Sequence, residues 1–127
     1  AEGARPWESV YGIVGEALEY VNVHMTEDIS VQDIADALNV SRYYLSHEFK
    51  KSTGYGLWNY VISKRLVYSQ KLLAEGASVT EACYESGFKD YAHFIKSFTK
   101  TFGCSPKQYD TATTEIYTLS LHDALPI

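Results

Sequence analysis

Six side chains of the kinds that act as nucleophiles, general bases or metal ligands lie along the sequence: His24, His47, His93, His122, Cys83 and Cys104. None of them shows the spacing that brings metal ligands together on one helix, and no glycine-rich phosphate loop follows a strand. Enzyme chemistry is therefore the weakest hypothesis, and the sequence predicts no catalytic residue, metal site or cofactor. His93 is expected to be partly buried beside the phenylalanines of its helix.

The two cysteines lie 21 residues apart in apolar surroundings, and neither belongs to a C-x-x-C pair. This pattern favours free, buried thiols in a protein of the reducing cytoplasm. A disulfide or a metal site is the alternative that the sequence leaves open.

Two helical segments carry a different chemistry on their outward faces. In the first, Leu45 and Phe49 face a core. At about 100° per residue, the opposite face carries Tyr43, Ser46, His47 and Lys50. In the second, Phe94 and Phe98 face inward, and the outward positions are Ala92, Ile95, Lys96 and Thr99. Arg42 and Tyr91 open the two helices.

Both outward faces have the groups that contact double-stranded DNA. Ser46 and His47 can donate or accept hydrogen bonds at base edges, whereas Ala92 and Ile95 can pack on thymine methyl groups. Lys96 can reach guanine acceptors or a phosphate. Any one of these residues alone would be an ordinary surface or packing residue, so the hypothesis depends on their sharing a face in a repeated frame.

The two segments belong to an internal repeat that covers residues 30–54 and 78–103. With an offset of 48, the matching pairs are Ser30 and Ser78, Asp33 and Glu81, and Asn39 and Gly87. One extra residue in the second turn changes the offset to 49, and the pairs become Ser41 and Asp90, Leu45 and Phe94, Phe49 and Phe98, Lys51 and Lys100, and Gly54 and Gly103. Each copy has a capped short helix, a turn, a capped second helix and a glycine, which is the helix-turn-helix layout.

Hydrophobic periodicity predicts an all-α fold of about seven helices, since no segment alternates clearly enough to be a strand. The predicted helices span 8–24, 31–38, 42–53, 57–74, 79–85, 91–102 and 106–109. The expected N-caps are Ser30, Ser41, Ser78 and Asp90, with an acidic partner at Asp33 and Glu81. The helix at 57–74, about 27 Å long at 1.5 Å per residue, joins the two copies.

Charge is distributed unevenly along a chain whose net charge is −5. Residues 30–110 contain ten Lys/Arg against eight Asp/Glu, whereas residues 1–29 contain one arginine against six acidic residues. Local charge governs attraction to phosphate, so the mildly basic middle is compatible with nucleic acid. The sequence predicts neither a membrane span, which needs about 18 apolar residues in a row, nor a secretory leader.

The second copy ends in the pattern G-F-x5-F-x3-F-x-K-x2-G-x2-P-x2-Y, formed by Gly87, Phe88, Phe94, Phe98, Lys100, Gly103, Pro106 and Tyr109. This pattern closely resembles the C-terminal signature of AraC/XylS transcription regulators. The first copy and the long helix fit as well, through Asp33-Ile34-Ala35, Ser41, Leu45-Ser46, Phe49-Lys50-Lys51, Thr53-Gly54, Arg65-Leu66 and Leu72-Leu73. The resemblance covers about residues 10–109.

This resemblance implies a bacterial DNA-binding domain with two helix-turn-helix lobes at the ends of helix 57–74. Their recognition helices would enter neighbouring major-groove segments on one DNA face, about 34 Å apart, and straight DNA could need to bend to engage both. Family members usually activate transcription, contact RNA polymerase and respond through a separate sensor or receiver domain. The predicted DNA-binding residues, from the resemblance and the outward faces together, are Arg42, Tyr43, Ser46, His47, Lys50, Tyr91, Ala92, Ile95 and Lys96.

The predicted organisation is a linker remnant at 1–8, a first helix-turn-helix lobe at 9–55, the linker helix at 56–76, a second lobe at 77–110 and a tail at 111–127. Ser69 stands where the family usually has alanine, which is a mild change if its hydroxyl bonds to its own helix. Asp110 stands where the family has arginine. Residues 116–127 resemble translated sequencing-adapter read-through, which predicts a tail without an evolved role.

A protein-interaction module is the main alternative to DNA binding. The acidic first helix and the weak local charge fit an adaptor that docks on RNA polymerase or on a sensor domain. Affinity for DNA duplexes that falls as salt rises would support DNA binding, and no binding at low salt would favour the adaptor.

Overall fold

The structure is a computed structural model that describes residues 6–109, with side chains described from Gly12 onward. Its helices are α1 (Pro6–His24), α2 (Val31–Ala37), α3 (Arg42–Thr53), α4 (Leu57–Ala74), α5 (Val79–Glu85) and α6 (Tyr91–Phe102), and residues 106–109 form a last helical turn. No strand occurs within this range, so the predicted all-α class is confirmed. Asp110, His122 and the predicted tail at 111–127 lie outside the described residues.

The predicted helix bounds agree with the structure to within about two residues. α1 begins at Pro6 rather than near Glu8, because proline suits the first position of a helix, where its missing N–H costs nothing. α2 ends at Ala37, and Leu38 takes the C-cap position. The next residue, Asn39, has a positive φ of 58°, a left-handed conformation that asparagine tolerates better than most residues.

A capping box begins the first helix of each helix-turn-helix copy. The Ser30 hydroxyl accepts from the Asp33 backbone N–H at 3.1 Å, and the Asp33 carboxylate accepts from the Ser30 N–H at 2.9 Å. Ser78 and Glu81 repeat this exchange at 3.0 and 2.9 Å. The predicted caps are therefore confirmed in both copies, and each satisfies N–H groups that a helix start leaves without a partner.

The second helix of each copy is also bounded as predicted. Ser41 accepts from the Tyr44 N–H at the start of α3, and Asp90 accepts from the His93 N–H at the start of α6. Gly54 and Gly103 end these helices in the left-handed conformation, with φ of 82° and 79°. Both outward faces are thus carried on twelve-residue helices with local stops at each end.

The chain divides into two compact units between Lys64 and Arg65, within α4. In the first unit, α1 and α2 pack against α3. Its core consists of Val14, Ala17, Val21, Ile29, Ile34, Ala35, Leu45, Phe49, Leu57 and Val61. Because Leu45 and Phe49 are fully buried in it, the rotation of α3 about its own axis is determined by this core.

In the second unit, α5 packs against α6, and a row of aromatic rings forms much of the core. Phe94 lies 5.1 Å from Phe88 and 5.7 Å from Phe98, measured between ring centroids. Phe98 also contacts Tyr109 at 5.5 Å. The aromatic residues of the family signature are therefore packing residues of one core, and burial of large rings is a main source of its stability.

Ser69 was predicted to be a mild change if its hydroxyl bonds to its own helix, and the structure contains this hydrogen bond. Its side chain is fully buried, and its hydroxyl donates to the Leu66 carbonyl oxygen at 2.6 Å. A buried hydroxyl with a partner on its own helix avoids the cost of an unsatisfied polar group.

Candidate nucleic-acid interface

The outward face of α3 forms one continuous surface in the first unit. Arg42, Tyr43, His47 and Lys50 are exposed and Ser46 is half-buried, with Tyr43 80% exposed. An open surface pocket of about 390 Å³ is lined by Tyr43, Ser46, His47, Lys50 and Lys51. The structure therefore brings together four of the five α3 residues predicted for this site, with Arg42 at the start of the same helix.

Two contacts organise the aromatic end of this surface. The Tyr43 and His47 rings are nearly parallel, with centroids 6.0 Å apart and an interplanar angle of 16°. The Nδ1 atom of His47 lies 3.4 Å from a Glu48 carboxylate oxygen. Because Tyr43 and His47 are both exposed, the Tyr43 hydroxyl and the imidazole can exchange hydrogen bonds with an external partner.

Sequence reasoning missed Lys51 as a member of the site. Lys51 is exposed and lines the α3 pocket, because it lies only about 40° around the helix from His47 at 100° per residue. The repeat pairs Lys51 with Lys100, which is also exposed. That pairing of two lysines was the signal that could have identified both as candidate phosphate contacts.

The outward face of α6 occupies the equivalent place in the second unit. Phe94 and Phe98 are fully buried, so the opposite side of the helix is directed outward. Ala92 and Lys96 are exposed on it, and Ile95 is half-buried. Tyr91 is exposed at the start of the helix, seven residues before Phe98 and therefore on nearly the same side as Phe98 at 100° per residue. Three of the four residues that the sequence predicted on α6 thus lie on its outward side.

Thr99 completes the α6 face with a hydroxyl that is already in use. Its hydroxyl donates to the Ile95 carbonyl oxygen at 2.7 Å, as threonine often does within a helix. The hydrogen is therefore committed to the helix itself. What Thr99 presents outward is its methyl group and the remaining acceptor capacity of its oxygen.

The expectation that His93 is partly buried was wrong. His93 is exposed, and its ring makes an edge-on contact with Phe88, with ring centroids 5.6 Å apart. The helical position next to Phe94 suggested partial burial, but the contact with Phe88 leaves the side chain exposed.

The two cysteines differ in their burial. Both cysteines are free, with Cys83 fully buried and Cys104 half-buried. Desolvation, with a smaller effect of the Asp90 charge, raises the pKa of the Cys83 thiol to about 11, and a protonated thiol is a poor nucleophile. Residues 6–109 contain no group of three side chains that could hold a metal ion. In the same range, no helix combines the length and the hydropathy needed to cross a bilayer.

Comparison with known proteins identifies relatives along most of the described chain. The family profile described as a helix-turn-helix domain matches residues 34–112. The regulatory protein PocR of Salmonella typhimurium is 32% identical over 95 residues, which are 74% of this chain and 31% of PocR. The chain spans 31%, 58% and 37% of three curated relatives that it matches, so it corresponds to less than two thirds of each.

Two solved structures are similar to this chain in both fold and sequence. A transcriptional regulator with an AraC-type DNA-binding domain from Chromobacterium violaceum is 25% identical with a TM-score of 0.73, over 81% of this chain and 93% of that one. The DNA-binding domain of the global transcriptional factor AdpA, solved in complex with a target DNA, is 27% identical with a TM-score of 0.69, over 81% and 90%.

Proposed function

The chain belongs to the AraC/XylS family of bacterial transcription regulators, and on this premise we propose that α3 and α6 bind neighbouring major-groove segments of a specific DNA site. One observation carries the proposal. The outward faces of α3 and α6 are repeat equivalents, and both are accessible because paired hydrophobic residues hold the opposite side of each helix in a core. A helix whose exposed side carries cationic and hydrogen-bonding groups has the diameter and chemistry that the major groove accepts.

Within this proposal the exposed residues divide into two roles. Arg42, Lys50 and Lys51 on α3 and Lys100 on α6 contact phosphates, which positions the helices without reading sequence. Residues nearer the centre of each face, such as His47 and Lys96, contact base edges and provide specificity.

The length of the relatives suggests partners other than DNA. Because the chain spans 31% of PocR, we propose that it acts within a longer protein that contains a sensor or receiver domain. Activation through contact with RNA polymerase is proposed for that whole protein.

The direct test is a selection of DNA duplexes from a random pool, followed by titration of the selected duplexes at two salt concentrations. The expected result is enrichment of a defined sequence whose affinity falls as salt rises, because phosphate contacts release counterions. Absence of binding at low salt would overturn the proposal.

Two substitutions test the assignment of the reading face. Lys96→Ala and His47→Ala should each weaken binding to the selected duplex by about 5- to 150-fold, the range for loss of a base contact, with little loss of fold because both side chains are exposed. Lys71→Ala is the control, since it removes an exposed charge from α4 rather than from α3 or α6. Unchanged affinity in both face variants would contradict the assignment.

A second candidate function rests on the exposed side of α1. A shallow pocket there is lined by Glu16, Glu19, Tyr20, Val23, His24 and Leu38, and Val23 is 64% exposed. Two carboxylates beside an exposed apolar side chain repel phosphate but fit a protein surface. An adaptor function through α1 would be favoured if Glu16→Lys abolished transcriptional activity while leaving DNA affinity unchanged.

A further inference from the structure

The two outward faces can be compared position by position, because the repeat aligns them at an offset of 49. The five residues that line the α3 pocket are Tyr43, Ser46, His47, Lys50 and Lys51. Their equivalents on α6 are Ala92, Ile95, Lys96, Thr99 and Lys100. The fifth position is lysine in both copies, so the difference between the faces lies in the other four.

On α3 these four positions all carry hydrogen-bonding groups. Tyr43 and Ser46 bring hydroxyls, His47 brings a ring nitrogen and Lys50 brings an ammonium group. Among residues 12–109, neither hydroxyl has a hydrogen-bond partner, whereas the hydroxyls of Ser69 and Ser86 donate to backbone carbonyl oxygens three residues before them. The α3 face therefore has donors that are available to base edges.

On α6 three of the four positions present hydrocarbon. Ala92 is exposed and carries only a methyl group, Ile95 is half-buried, and the Thr99 hydroxyl hydrogen is used on the Ile95 carbonyl at 2.7 Å. Lys96 is the one side chain at these four positions that still offers a hydrogen-bond donor. An exposed surface of this kind recognises an apolar feature of its ligand rather than a pattern of donors and acceptors.

We infer that the two half-sites of the operator are read by different chemistry, with thymine methyl groups contacted by α6 and hydrogen-bonding base edges contacted by α3. This inference rests on the proposed function. The C5-methyl of thymine is the apolar group that base edges present in the major groove. Ala92, Ile95 and Thr99 offer it a hydrocarbon surface, and Lys96 beside them sets the register through a guanine or a phosphate. The operator is therefore asymmetric, with thymines required in one half only.

The experiment that tests this inference replaces thymidine with deoxyuridine in a duplex that the protein has selected from a random pool. Uracil keeps the base pair and the O4 acceptor and lacks only the methyl group. Replacement within the α6 half-site should lower affinity about four-fold for each methyl contacted, from about 0.8 kcal/mol per buried carbon. The same replacement in the other half-site should leave affinity within about two-fold.

Two variants assign the sensitive half-site to α6. Ala92→Ser with Ile95→Ser replaces two of the three hydrocarbon groups with hydroxyls and should remove most of the difference between thymidine and deoxyuridine duplexes. Ser46→Ala is the matched control on α3, because it changes the position equivalent to Ile95 in the other copy. Ser46→Ala should leave the uracil sensitivity of the α6 half-site unchanged.

The outcomes separate the inference from the proposed function. Equal sensitivity of both halves, no sensitivity in either, selected sites without thymine, or undiminished sensitivity in the Ala92/Ile95 variant would each overturn the inference while DNA binding stands. A protein that selects no duplex at low salt would overturn the proposed function, and the inference with it.

Discussion

Phe98 packs in the core of the second unit and also determines which side of α6 faces outward. Its ring is fully buried. Measured between ring centroids, it lies 4.6 Å from Phe102, 5.7 Å from Phe94 and 5.5 Å from Tyr109. By its place on α6 it also determines which residues face outward. A residue with no atom at the surface therefore controls the orientation of Ala92 and Lys96.

Phe98→Ala is expected to destabilise the second unit by about 3–5 kcal/mol, because removal of a buried aromatic ring leaves a cavity. Chemical denaturation of the wild type and the variant measures the loss. Lys96→Ala, two residues away on the opposite and exposed side of α6, should cost less than about 0.5 kcal/mol. A loss below about 1 kcal/mol in Phe98→Ala would show that this ring is not a core residue.

The capping box of Ser78 and Glu81 makes the start of one helix, α5, sensitive to acid. Hydrogen bonds from the Ser78 backbone N–H, and then from its hydroxyl, lower the pKa of the Glu81 carboxyl from its ordinary value of 4.5. A carboxyl whose pKa is lowered by folding stabilises the folded state above the unfolded value, and this contribution disappears as pH falls through the folded value. The contribution of Glu81 is thus complete above pH 4.5 and is lost below it.

Glu81→Gln tests this contribution, because glutamine can still complete a capping box but does not titrate. The difference in melting temperature between wild type and variant should be constant above pH 4.5 and should move against the wild type at lower pH. Ser78→Ala provides a comparison and should cost about 1 kcal/mol as a lost N-cap. A difference that is independent of pH down to acid denaturation would show that Glu81 does not contribute in this way.

At the scale of the whole molecule, α4 contributes residues to both compact units, since the boundary falls between Lys64 and Arg65. Leu57 and Val61 are buried in the first unit, and Leu66 and Leu73 are buried in the second. The proposed function requires both units to bind one duplex. The continuity of α4 is therefore expected to matter for affinity even at positions that contact neither core.

Val67, which is 55% exposed on α4, is the position that tests this expectation. Val67→Pro removes a helical hydrogen bond and interrupts the helix. Affinity for a duplex with both half-sites should fall by about 100-fold or more, since the second contact loses its intramolecular advantage. Val67→Ala should bind like the wild type. Circular dichroism and thermal melting monitor folding, and Val67→Gly gives a milder interruption of about 1 kcal/mol. Unchanged affinity in a folded Val67→Pro variant would contradict the requirement.

The helices and their caps could be predicted from sequence, because they depend on residues within one or two turns of one another. The equivalence of the two copies could be predicted because the same local signals recur at a constant offset. Ser30 with Asp33, Ser78 with Glu81, and the two glycines that end α3 and α6 are local signals of this kind. Phe94 and Phe98 were predictable as core residues for the same reason, since helical spacing places them on one face of α6. Phe88 and Tyr109 lie outside α6 and join this core through tertiary contacts.

Which side chains of α3 and α6 are exposed depends on the tertiary structure. Helical spacing gives the angle of a side chain but not which neighbour covers it, so His93 was expected to be partly buried and Lys51 was omitted from the site. Helical spacing also does not show whether a polar group already has a partner, so the hydrogen bond from the Thr99 hydroxyl to the Ile95 carbonyl oxygen, at 2.7 Å, could not be predicted. It adds Thr99 to the apolar surface that the residue types of Ala92 and Ile95 already indicated.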